Sequence, residues 1–102
     1  MPITGDKYTF NTDNVNRAPQ SHGMYQLYDG NITIYIGRAA GTSVTIRSRL
    51  QDHPSGREGP CTQGASSYRR EENSRPLARE KELLEEYYDQ HGQLPRCNDV
   101  MP

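Results

Sequence analysis

The residue in this sequence best placed to do chemistry is a carboxylate that interrupts an apolar pattern. Leu77, Leu84 and Tyr87 (or Tyr88) mark the apolar stripe of a helix, and Glu80 lies on the same line. A carboxylate on a core-facing stripe carries a desolvation cost unless it is paired or holds a cation. Glu80 is therefore read either as half of a half-buried salt bridge to an arginine or as the ligand of a metal ion. Glu82, Glu85, Glu86 and Asp89 fall mostly on other faces of the helix and read as solvated.

Two further side chains intrude on an apolar face in the same way. Arg49 and His53 stand four residues apart beside Ile46 and Leu50, so both project from one side of a helix. A fixed guanidinium can balance charge developing on phosphate, and an imidazole can move protons near neutral pH. Tyr25 and Tyr35 supply phenols on neighbouring strands. A strand tyrosine is usually core with its hydroxyl satisfied. Close to a cation, a phenol can instead accept a proton from water.

The elements that would position these groups follow from local patterns. Gly23 to Tyr28 alternates, Ile32 to Ile36 is β-branched and aromatic, and Asp29-Gly30-Asn31 between them is a hairpin turn. Thr42 and Ser43 are candidate caps for a helix that carries Ile46 to His53, and a Gly/Pro/Ser loop over 54–66 ends it. Ser67 to Glu72 reads as a third strand. Asn73 and Ser74 precede a longer helix with Pro76 in its first turn and Gly92 at its end. The order strand, strand, helix, strand, helix predicts an α/β (α+β) domain, with helices on a small three-stranded antiparallel sheet. Residues 1–21 read as a polar, extended arm, 22–98 as the domain and 99–102 as a tail.

Composition narrows the function classes. The chain has 102 residues, a hydrophobic fraction of 31% and a net charge of −1, which bounds it to one small domain with a thin core. No apolar run is long enough for a membrane span and no signal peptide is visible, so a soluble, cytoplasmic protein is expected. Cys61 and Cys97 are expected as a reduced pair. Charge is unevenly spread: residues 38–70 carry six arginines against Asp52 and Glu58, a net +4. Arginine is the side chain suited to forked contact with phosphate, so Arg38, Arg47, Arg57, Arg69 and Arg70 are candidate nucleic-acid contacts.

Taken in order, Gly23-Met24-Tyr25, Tyr35-Ile36-Gly37-Arg38-Ala39, Ile46-Arg47-Ser48-Arg49-Leu50-Gln51-Asp52-His53, Glu80 with Leu83, Leu84 and Tyr87, and then Asn98 resemble the GIY-YIG endonuclease domain. The resemblance spans about residues 22–98. It implies Tyr25 as general base or water-orienting phenol, Tyr35 beside it, and Arg49 on the scissile phosphate. It implies Glu80 as the one protein ligand of a divalent cation, Mg²⁺ or Mn²⁺, and Asn98 as a residue that orders the site. His53 matches a histidine found in part of the family, and Gly37 would let the backbone pass close to the site. The implied activity is metal-dependent hydrolysis of DNA phosphodiesters, in repair, mobile-element or defence settings, with a helper protein or homodimer as a partner for targeting. The alternative is a non-catalytic nucleic-acid-binding or adaptor module on the same fold.

Overall fold

Gly30 adopts φ 62° at the tip of the expected hairpin, a left-handed conformation that glycine takes without steric cost. On either side of it, β2 (Gly23–Asp29) and β3 (Ile32–Ala39) pair antiparallel, with Tyr25 opposite Gly37 and Leu27 opposite Tyr35. The computed structural model describes residues 1–56 and 59–99. The other edge of β2 pairs with β4 (Ser67–Glu72), and β4 pairs in turn with β1 (Tyr8–Thr9). The sheet therefore has four strands in the order β1-β4-β2-β3, one more than expected. The extra strand comes from the segment read as an arm, which also forms α1 (Thr12–Asn16), capped by the Asn11 side chain. A two-residue strand holds only through its tertiary partners: the Tyr8 ring stacks on Tyr68 at 5.4 Å.

The sheet separates two cores. On one face Tyr25, Leu27, Ile34 and Tyr68 pack with Val15, Ala18, Ile46 and Leu50 under α1 and α2 (Ile46–Asp52). On the other, Met24 and Ile36 pack with Ile3, Leu83 and Leu84 under α3 (Pro76–His91). The pairing register slips between Leu27 and Tyr28, leaving Ile34 as an extra residue in β3. A bulge of this kind puts consecutive side chains on one face. Strict alternation from Thr33 would aim Tyr35 at α3; the bulge returns it to the Tyr25 side.

Both helices carry the stop and start chemistry that their sequences imply, with two shifts. Thr45, rather than Thr42 or Ser43, caps α2 in a reciprocal box with Ser48. Pro76 opens α3, and Gly92 closes it at φ 73° with its N–H on the Tyr88 carbonyl. The buried stripe of α3 is Pro76, Glu80, Leu83 and Leu84, whereas Leu77 is 56% exposed. The stripe is rotated by one residue from the expected one, yet Glu80 stays on it.

Cys61 and Cys97 are joined in a disulfide across 36 residues, which overturns the expected reduced pair. The bridge forms because β3 brings the two ends together: Cys97 N–H donates to the Ile34 carbonyl at 2.9 Å, in the same core that Cys97 packs against. Among the described residues no helix is long and apolar enough to cross a membrane.

Candidate active site

Gly37 makes room for the site. A Cβ there would lie 2.5 Å from both Cζ and the hydroxyl of Tyr25 and 2.6 Å from Cε2 of Tyr35. Real side chains do not approach so closely, so only glycine lets the two tyrosine rings close over β3. The rings of Tyr25, Tyr35 and His53 form a triangle, with centroids 5.9, 5.3 and 5.0 Å apart.

His53 follows the last turn of α2 and is fully buried. Its Nε2 is 2.8 Å from the Tyr25 hydroxyl, and its Nδ1 is 2.7 Å from Thr62 Oγ1. Burial, helped by the Arg49 charge and opposed by Asp52, lowers its pKa to about 4. The imidazole is therefore neutral at pH 7 and serves as a hydrogen-bonding partner for the phenol. Thr62 lies in a short 3₁₀ turn, Cys61–Gly64, and escaped sequence reading. A threonine inside a Gly/Pro/Ser loop carries no signal that would single it out.

In front of these rings a cleft of about 300 Å³ is lined by Tyr35, Arg38, Ala40, Val44, Arg49 and Glu80. Tyr25 has no exposed surface and stands behind Tyr35. Arg38, two residues after Ile36, reaches across to α3, where its Nη1 donates to Glu80 Oε1 at 2.6 Å. The carboxylate on the apolar stripe is thus paired with an arginine. Arg49 approaches Asp52 to 3.9 Å within its own helix. Asn98 bonds the β3 backbone: its Oδ1 accepts from the Ile36 N–H at 3.0 Å and its Nδ2 donates to the Ile36 carbonyl at 2.9 Å. It acts as an added strand edge that fixes β3 between Tyr35 and Gly37.

The other arginines do not converge on the cleft. Arg69 and Arg70 are adjacent in β4 and so face opposite sides of the sheet. Arg69 donates to the Tyr28 hydroxyl and the Gly5 carbonyl, and Arg70 lies over the Tyr8 ring. Arg47 donates to the Ala18 carbonyl. Arg57 lies outside the described residues. A larger groove of about 560 Å³ runs along the outside of α3, but Glu82, Glu85, Glu86 and Asp89 line it and would repel phosphate.

Among the described residues no group of three acidic, histidine or cysteine side chains gathers to hold a metal. Glu80 is the one carboxylate among the described residues that lines the cleft, which Tyr35 lines as well. An oxygen-only donor set with room for water is what a hard divalent cation takes, since Mg²⁺ keeps several waters and needs few protein ligands. The residues fit such an ion, with Arg38 sharing the carboxylate.

An antiparallel hairpin with paired tyrosines, a flanking arginine and a glutamate on the facing helix stands on a mixed α/β fold. The fold is that of the GIY-YIG endonuclease domain. The chain superposes on the crystal structure of the N-terminal endonuclease domain of UvrC from Thermotoga maritima, a Tyr-to-Phe point mutant bound to its catalytic divalent cation. The TM-score is 0.58 at 17% identity, over 86% of this chain and 93% of that one. No protein-family model matches the sequence, and no curated protein matches it.

Proposed function

We infer that the protein is a metal-dependent DNA endonuclease that nicks or cleaves phosphodiester bonds. The observation that carries the reading is the cleft itself: Tyr35, Arg38, Arg49 and Glu80 share one opening, and the buried Tyr25 packs against Tyr35 with His53 Nε2 on its hydroxyl. Arg49 and Arg38 would clamp the scissile phosphate, supplying positioning and charge stabilisation. Tyr25 is the phenol with a neutral imidazole partner, and it is assigned as the base: as its phenolate, once its own proton has left to solvent through the cleft, it would take the proton of the attacking water. That water reaches it past Tyr35, which lines the opening. Asn98 holds the β3 backbone so that the two rings keep their spacing. Glu80 would hold the divalent cation, whose bound form neutralises charge on the transferring phosphate.

One observation favours the second reading, a non-catalytic nucleic-acid-binding module: Glu80 already has a cation, the Arg38 guanidinium. Nicking of supercoiled plasmid in Mg²⁺ or Mn²⁺ separates the two. The enzyme reading expects activity that falls about 10³-fold in Glu80→Ala and about 10²-fold or more in Tyr25→Phe. Absence of cleavage on duplex, branched and single-stranded DNA across divalent metals would sink it. The repair, mobile-element or defence setting, and any helper protein or homodimer, belong to the same proposal and follow from which DNA is cut.

A further inference from the structure

Thr62 is 2% exposed, and among the described residues His53 Nδ1 is the one hydrogen-bond partner of its hydroxyl. A hydroxyl shut away from water must still place its own proton, because buried polar groups are paired in native structures. If Nδ1 carried the imidazole proton, Thr62 would accept that bond and its own proton would have no acceptor. If Thr62 donates instead, both groups are satisfied.

We propose that Thr62 is a positioning residue: it donates to His53 Nδ1 and so fixes the imidazole as the Nε2–H tautomer, which donates to the Tyr25 oxygen. Neutral imidazole has one proton, and placing it on Nε2 leaves Nδ1 as the acceptor. A hydrogen bond donated to a phenol oxygen favours the phenolate over the phenol. The 2.8 Å contact then stabilises the Tyr25 phenolate, which forms when the phenol proton, pointing away from His53, leaves through the cleft to solvent, and this phenolate can accept the proton of the attacking water. The next residue back, Cys61, is tied to Cys97, so the turn that carries Thr62 cannot drift from the imidazole.

The catalytic meaning of this assignment rests on Tyr25 acting as the base, but the tautomer can be read without any cleavage. In the full chain labelled with ¹⁵N-histidine, NMR at pH 7 is expected to show His53 Nε2 as the protonated nitrogen and Nδ1 as the pyridine-type one. In Thr62→Val the two signals should converge as the tautomers mix, nicking should slow roughly tenfold, and Thr62→Ser should restore both. A wild-type spectrum with the proton on Nδ1 overturns the proposal, and so does an unchanged pattern in Thr62→Val. A protein that nicks DNA with the proton on Nδ1 sinks this assignment and leaves the nuclease reading standing. The expected tautomer in a protein that never cuts sinks the nuclease reading instead.

Discussion

The two sides of the cleft are built in opposite ways. Behind Arg49, the α2 side is an uncharged, closed aromatic cluster: Tyr25, His53 and Thr62 are linked directly in one line of hydrogen bonds, on a turn that a disulfide holds. The α3 side is a single ion pair, Arg38 with Glu80, open enough that the arginine side chain is 42% exposed. Geometry on the first side is set by packing, which deforms little. On the second it is set by charge, which water, salt and ligands can exchange. Under the proposed function, such a site would keep Tyr25 and His53 fixed while Arg38 and Glu80 adjust to what arrives.

Four perturbations would break or sharpen that contrast. Removing the bridge with Cys61→Ser and Cys97→Ser should cost about 3–4 kcal/mol, from the loop-closure entropy of a ring this size. Urea unfolding would measure it, and an unchanged midpoint would mean the closed side does not depend on the covalent tie. Acid comes next. His53 has a folded pKa of about 4 against about 6.5 unfolded, so the unfolded chain binds the extra proton between those values. Its share of stability is complete above pH 6.5 and lost as pH falls toward 4, about 3 kcal/mol in all. The slope of unfolding free energy against pH should be flatter in His53→Gln. Gly37→Ala, which forces a Cβ against both tyrosine rings, should cost about 1–3 kcal/mol, seen as a lower Tm and a changed near-ultraviolet tyrosine signal. The smallest effect belongs to the open side. Arg38→Ala should tighten divalent-cation binding in the absence of DNA by about fivefold at most, because a part-exposed ion pair contributes roughly 1 kcal/mol or less. Titration calorimetry with Mn²⁺ would measure it, and weaker binding would show that Arg38 helps to hold the cation.

The parts of this architecture that were legible in the sequence are those coded by neighbours in the chain. The hairpin announces itself through Asp29-Gly30-Asn31 between β-forming runs, and α3 through Pro76 and Gly92. Glu80 was legible because a helix period makes a polar intrusion visible. What stayed hidden depends on long-range placement. Nothing within the 36 residues from Cys61 to Cys97 says that they meet. The bulge at Ile34 is a register event between strands, so the sequence alone could not show which face Tyr35 takes. The pairing of Arg38 with Glu80 required knowing how far α3 lies from β3. Only β1 and α1 left a faint trace that could have been followed: Tyr8-Thr9-Phe10 favours a strand, and Asn11 is a good helix cap with Asp13 in the first turn.

Under the proposed function, the Arg38–Glu80 pair would make the protein its own stand-in for the metal. A buried carboxylate with no counter-ion would either take up a proton or push the helix away. With a guanidinium already in place, α3 docks on the sheet in cation-free solution, and assembly of the domain is uncoupled from loading of the site. A chelator should therefore leave the melting temperature unchanged. Cation and DNA would then arrive at a finished scaffold, with Arg38 released from the carboxylate to meet the phosphate.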